Sequence, residues 1–200
     1  DAETGIEIAE TLQGRADGRI RTAFSPHSLT TVDTDYLDEF VSNARVAGLP
    51  LHYHANETAE EVDPIVEAEG QRPLEYADDH DMLAGGDVLA HGVHLSEAEM
   101  SLLASRGASL VHCPASNMKL ASGIAPIQSV LDADVNVALG TDGAASNNDL
   151  DVFDEMRDAA MVGKVSTGDA SAVPARAVLG MATEGGARAL GFEGGRLEVG

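Results

Sequence analysis

Cysteine is almost missing from this chain of 200 residues: Cys113 stands alone, so no internal disulfide framework is possible and a reducing interior is the matching environment. Long apolar runs are missing too. No stretch approaches the ~18 residues that a membrane span needs, which excludes a transmembrane helix. The chain shows no leader built from a basic start, an apolar stretch and a small-residue cleavage site, and it opens on Asp1 rather than Met, which suggests a fragment or a processed chain. Basic residues are scarce. Twelve Lys plus Arg face 34 Asp plus Glu for a net charge of −22, and only Lys119 and Lys164 are lysine. Such a balance repels phosphate backbones and anionic lipid, so nucleic acid and membrane surfaces are poor partners. The acids are scattered through patterned segments, and 44% of residues are hydrophobic, so this is no disordered acidic tail. A lysine-poor acidic surface reads as salt adaptation, with an ordinary acidic cytosolic protein as the alternative.

What is present alternates. Residues 20–24 are β-prone and run into Ser25-Pro26. Leu37, Phe40, Val41, Ala44 and Ala47 then recur at helical spacing, closed by Gly48 and Pro50. Residues 50–54 form the next predicted strand, followed by an acidic helical stretch over 57–69. Residues 88–93 read as a third strand; Ser96 and Glu99 make a capping-box signature for the following helix, which Gly107 ends. Residues 109–112 and 135–139 complete five predicted strands, with helical sequence around Ile127–Leu131 and from Leu150 to Ala160. Strand–loop–helix alternation is the pattern of a parallel α/β fold. His27, His54, His91, His112 and Asp142 all fall at or just after strand C-termini, the catalytic face of a (β/α)8 TIM barrel. Neither GxGxxG nor a phosphate loop appears, which disfavours a doubly wound nucleotide fold. Five strands cannot close a barrel, so about three preceding strands are expected to be missing.

The candidate chemistry begins with His52-Tyr53-His54-Ala55-Asn56-Glu57. On a strand, His52 and His54 share a face. A neutral imidazole at a strand end suits zinc or iron, and a carboxylate three residues on can reach a metal-bound water. Taken alone, such a pair is more often two hydrogen-bonded core histidines. His91-Gly92-Val93-His94 is weak by itself, with His94 free to be solvated or to cap a helix. Asp142 follows an apolar strand at a glycine-flanked turn, where a carboxylate can reach over a barrel mouth or simply close the turn. The ordered combination is more specific than any member.

That combination resembles the adenosine- and cytosine-deaminase-like branch of the amidohydrolase superfamily. There an HxxE follows strand five, a His strand six and an Asp strand eight; His54-Ala55-Asn56-Glu57, His91 and Gly140-Thr141-Asp142 match in order. The runs from Ser25-Pro26-His27-Ser28, His112-Cys113-Pro114-Ala115-Ser116-Asn117-Met118-Lys119-Leu120 through Ala121-Ser122-Gly123, and Thr141-Asp142-Gly143-Ala144-Ala145-Ser146-Asn147-Asn148 resemble 5-methylthioadenosine/S-adenosylhomocysteine deaminases over nearly the whole chain. The acidic surface points to a haloarchaeal member. Three departures are visible: the family's strand-one HxH is absent, Asp134 stands where a helix-ending Gly is frequent, and Gly92 stands where Cys is frequent.

The resemblance implies barrel strands four to eight over residues 1–192, with 193–200 starting the return to a small β-sandwich. It implies one divalent metal, zinc or else iron, held by His54, Asp142 and two histidines not in this chain. Glu57, His91 and Asp142 are the implied catalytic residues: Glu57 protonates ring N1, His91 orients the attacking water, and Asp142 accepts a proton. His27, Glu57 and Asp142 are implied to bind substrate. His52 is expected to be structural, His112 to line the pocket or support it, and Cys113 to pack rather than attack. No lysine lies on a predicted strand, which disfavours a carbamylated-lysine two-metal site. The implied reaction is cytoplasmic hydrolytic deamination of an adenosine-type nucleoside in methionine salvage, by an enzyme that is a homo-oligomer at full length. The alternatives are a related hydrolase of guanine, 8-oxoguanine or a chlorotriazine, and a non-catalytic acidic metal-binding module.

Overall fold

The computed structural model describes residues 2–32 and 34–199. In chain order the elements are α1 (Ala2–Leu12), α2 (Thr34–Val46), β1 (His52–Ala55), α3 (Ala59–Glu69), α4 (Pro73–Asp79), β2 (Val88–His91), α5 (Glu97–Arg106), β3 (Ser109–His112), α6 (Pro114–Lys119), α7 (Ile127–Asp132), β4 (Asn136–Leu139), α8 (Ala144–Asn147), α9 (Val152–Thr167), α10 (Ala175–Gly180), a π-helical turn (Met181–Gly185) and α11 (Gly186–Ala189). The strands pair in parallel in the order β1-β2-β3-β4, with no reversal of direction along the sheet. A doubly wound sheet reverses its strand order at a switch point; this one advances one strand at a time, as the wall of a barrel does.

The predicted strand at 20–24 is reduced to isolated parallel bridges, Phe24 with Leu51 and Ser28 with His54. Its earlier backbone groups are used elsewhere: Ile20 exchanges hydrogen bonds with Gly14 and Arg15, and the Thr22 N–H donates to Gln13 Oε1 at 2.7 Å. The third predicted strand stops at His91, because His91 and Gly92 both take positive φ, 78° and 59°. Helices begin and end where their capping residues stand. Ser96 and Glu99 exchange both capping-box bonds at α5, and Gly107 ends that helix in the left-handed region. Asp134 also sits there, at φ 59°, in the helix-ending place expected of it. The sequence pattern predicts neither α1, α4, α6 and α8 nor α10 and α11.

Period-two alternation decides what each strand buries. Tyr53, Leu89, Leu110 and Val137 are in register across the sheet, buried, and face the helical layer. Full burial of side chains of this size stabilises by roughly 1.5–3 kcal/mol each. His54, Ala90, Val111 and Ala138 form the row on the other face. Asp87, fully buried before β2, accepts from the Leu51 and Ala84 N–H groups, both at 2.7 Å, and from Arg45 at 2.9 and 2.6 Å. One carboxylate thus ties α2, the start of β1 and the turn before β2. Among the described residues no helix is long and apolar enough to cross a membrane.

Candidate active site

At the C-terminal strand ends the backbone is strained. Asn56, His91 and Asp142, at the exits of β1, β2 and β4, have φ of 54°, 78° and 59°. Non-glycine residues held there cost on the order of 1–3 kcal/mol each, and such strain gathers at functional sites. The turns it produces aim side chains over the sheet. One ligand atom each from His54, His91 and Asp142 lies within 4.8 Å of the other two, the spacing of donors that can share a cation.

Each donor is oriented by a neighbour. His54 Nδ1–H donates to the His27 carbonyl at 2.7 Å, leaving Nε2 with its lone pair free. The His91 ring, buried, donates from Nδ1 to Asn117 Oδ1 at 2.8 Å, and its Nε2 lies 3.7 Å from Glu57 Oε2. Asp142 Oδ2 accepts from Ser116 Oγ at 2.7 Å and Ser146 Oγ at 2.6 Å, which leaves Oδ1 for a metal or a proton. Burial pushes the Asp142 carboxyl up, but these hydroxyls and the Gly143 N–H outweigh it and hold it below the ordinary aspartate range. Imidazole nitrogens and an ionised carboxylate, each with a second partner fixing its orientation, fit a zinc- or iron-type ion.

Glu57 enters the site from the turn before α3. Its N–H donates to Glu61 Oε2 at 2.8 Å, and Ser122 Oγ donates to its Oε1 at 3.2 Å. Burial pushes the Glu61 carboxyl up, and its Oε1 is buried without a partner. His27 is exposed at the rim, its ring tilted 4.7 Å from that of His54.

All four residues expected at the centre, His54, Glu57, His91 and Asp142, come together, with His27 beside them. Others do not join. His52 is exposed on the same sheet face nearer the opposite strand ends, where with Arg19, Arg21, Arg45, Arg188 and Phe192 it lines a separate cavity of about 770 Å³. His112 lies beneath the site, its imidazole pushed down to about 3 by burial and by nearby His91. His94 does not cap α5, whose N-cap is Ser96; it is half-buried, and its Nε2 donates to the Ser122 carbonyl at 3.0 Å. The Cys113 thiol is buried and pushed up to about 12, chiefly by that burial, so it stays protonated. Sequence reasoning missed the residues behind the centre. Ser116, Asn117 and Ser122, on or just after α6, support Asp142, His91 and Glu57 in turn; they stand inside the motif run quoted above, but no spacing rule marks them. Glu61 had a usable signal, because Thr58-x-x-Glu61 has the capping-box pattern, and Thr58 caps α3 by accepting from the Glu61 N–H.

Residues 3–200 match the amidohydrolase family. The chain belongs to that family. It is 64% identical over all 200 residues to a 5-methylthioadenosine/S-adenosylhomocysteine deaminase of Halobacterium salinarum, covering 46% of that protein. It is 46% identical to a 5'-deoxyadenosine deaminase of Methanosarcina acetivorans, covering all of this chain and 46% of the relative. Among solved structures, an adenosine deaminase from Xanthomonas campestris with bound zinc superposes with a TM-score of 0.92 at 46% identity, over 100% of this chain and 45% of that one. The chain thus spans about half the length of the relatives it matches.

Proposed function

We propose that this chain supplies one half of the active site of a metal-dependent deaminase acting on adenosine-type nucleosides: 5-methylthioadenosine, S-adenosylhomocysteine or adenosine. The observation that carries the reading is the convergence of His54, His91 and Asp142, with the Glu57 carboxylate 3.7 Å from His91. The names of the similar proteins, each a deaminase of an adenosine nucleoside, support it. In this reading residues 1–192 are strands four to eight of a (β/α)8 barrel, and 193–200 lead toward a small sandwich domain. His54 and Asp142 hold one divalent metal, zinc before iron, together with donors from outside this chain. When bound, the metal lowers the pKa of water from ~15.7 toward ~7 and so makes a nucleophile available at neutral pH.

The chain's own residues do the rest. Glu57 carries a proton to ring N1 as water adds at C6, which keeps negative charge from building on the aromatic ring. His91, its Nδ1–H committed to Asn117, presents Nε2 to the attacking water and orients it. Asp142, held below its ordinary pKa, is ionised and takes a proton from that water. The proton held by Asp142 passes to the departing nitrogen, the proton of the new C6 hydroxyl returns to Glu57 as the carbonyl forms, and ammonia leaves. His27 contacts the substrate at the rim. The whole enzyme is then a homo-oligomer in the cytoplasm, a reducing compartment with which an unpaired Cys113 is in keeping. Its acidic surface is salt-adapted, in keeping with the relative from Halobacterium salinarum.

The test uses a full-length protein carrying this sequence. Chelation should abolish ammonia release from methylthioadenosine, and one equivalent of zinc should restore it. Turnover that survives complete metal removal would sink the reading.

A further inference from the structure

Glu57 has the most demanding task in that mechanism, and β1 itself does not orient its carboxylate. The residue follows Asn56, whose φ of 54° turns the chain out of the strand, and precedes Thr58, the N-cap of α3. Its side chain is instead met by Ser122, 65 residues further on, which donates from Oγ to Oε1 at 3.2 Å. The other oxygen, Oε2, faces His91 Nε2 at 3.7 Å. The two oxygens therefore have different surroundings.

The turn that brings Ser122 there is tightly specified. Ser122 is 8% exposed, and its N–H donates to the Asn117 carbonyl at 2.9 Å. Gly123 has φ 129°, and a Cβ there would stand 2.7 Å from Val93 Cγ1, so only glycine fits. His94 pins the same turn by donating from Nε2 to the Ser122 carbonyl at 3.0 Å. His94 is itself tied back to the residue before Glu57: its N–H donates to the Asn56 carbonyl at 2.9 Å, and its carbonyl accepts from Asn56 Nδ2 at 3.4 Å. Asn56 is locked in turn by Glu99, which accepts from its Nδ2 at 2.9 Å. The bonds form a closed circuit through Asn56, His94, Ser122 and Glu57.

We infer that Ser122, anchored by His94, is a positioning residue that commits Glu57 Oε1 to a structural hydrogen bond and leaves Oε2 to carry the proton. The inference rests on the reading of Glu57 as the proton carrier. A hydroxyl donated to Oε1 stabilises charge on that oxygen, so the proton of the acid form resides on Oε2, the oxygen that faces the site. After transfer the Ser122 bond persists on the carboxylate, and the side chain need not rotate between steps. Without Ser122 the carboxyl turns about its last bond and presents either oxygen. Misplacements of about 1 Å near reacting atoms cost up to about 10²-fold in rate.

The experiment compares Ser122→Ala, Ser122→Thr, His94→Phe and the double variant Ser122→Ala/His94→Phe in the zinc-loaded full-length enzyme. Ser122→Ala should lower kcat about tenfold, inside that range, while KM, zinc content and Tm stay near wild type. Ser122→Thr, which keeps the hydroxyl, should recover most of the loss. His94→Phe should lower kcat less, and the double variant should be no worse than Ser122→Ala alone, because both act through one bond. Wild-type kcat in Ser122→Ala, beside an inactive Glu57→Gln, would overturn the positioning role and leave the deaminase reading standing. Parallel losses of Tm and kcat that Thr does not rescue would overturn it as well, by making Ser122 a packing residue. A wild-type enzyme that releases no ammonia from any adenosine nucleoside would sink the functional reading and this inference with it.

Discussion

Replacing Glu57 by Gln in a full-length enzyme separates acid–base chemistry from metal binding. The amide matches the carboxylate in shape, its oxygen can still accept from Ser122 Oγ, and the Glu57 N–H can still donate to Glu61, so the turn before α3 should hold. The three donors that converge are His54, His91 and Asp142; Glu57 is not among them, and metal content should survive. An amide cannot carry a proton to N1. General acid–base groups contribute typically about 10²–10⁴-fold, so kcat should fall by at least that range, about 2.7–5.5 kcal/mol of transition-state stabilisation. KM should change little, because the amide can still hydrogen-bond ring N1 while the proton moves only in the chemical step. The assay is steady-state ammonia release, with metal analysis of the same preparation. Near-normal turnover with metal bound would refute the role of Glu57, and loss of metal would show that Glu57 is a ligand.

The metal ligands should behave differently: His54→Ala and Asp142→Ala in the full-length enzyme should lose zinc and activity together, as read by metal analysis after dialysis. The 200-residue chain alone, with only part of the donor set, should bind zinc far more weakly than the complete protein; tight one-to-one binding by the chain would contradict the ligand assignment. Asp87→Ala leaves the Leu51 and Ala84 N–H groups without their acceptor, while the half-buried Arg45 keeps its bonds to the Asp81 carbonyl, and should cost about 1–3 kcal/mol for each N–H left unmade in a urea melt. His112 gives a pH signature: its folded pKa of about 3 lies below the ordinary 6.5, so the unfolded chain binds more protons between those values. Its contribution is therefore fully present above pH ~6.5 and is lost as pH falls toward ~3, and His112→Phe should flatten that acid limb by up to ~1.4 kcal/mol per pH unit. With a net charge of −22, self-repulsion should lower Tm at low ionic strength and molar KCl should raise it; a salt-independent Tm would remove the halophile reading.

Residues with local chemistry were legible before the structure. Period-two and helical spacing located β1 through β4 and the helices α2, α3, α5 and α9, and Gly48, Gly107 and Asp134 marked helix ends because left-handed geometry restricts residue type. His54, Glu57, His91 and Asp142 were found because they recur at strand ends in a set order. The supporting layer was not. Ser116, Asn117 and Ser122 act across distances of 26 to 65 residues, and no periodicity encodes which hydroxyl will meet which carboxylate. The strand expected at 20–24 had the right composition. Its backbone groups were claimed by the loop after α1, a competition that β-propensity does not register.

Substrate choice tests the central claim most directly. A full-length, zinc-loaded enzyme carrying this sequence should be assayed in molar salt with methylthioadenosine, S-adenosylhomocysteine, adenosine, guanine and a chlorotriazine in parallel. The absorbance change from the adenine to the hypoxanthine ring, with one ammonia released per turnover, should appear with at least one of the three adenosine compounds and vanish in Glu57→Gln. Turnover of guanine or the chlorotriazine alone would leave the metal site intact and contradict the assignment of an adenosine-type substrate.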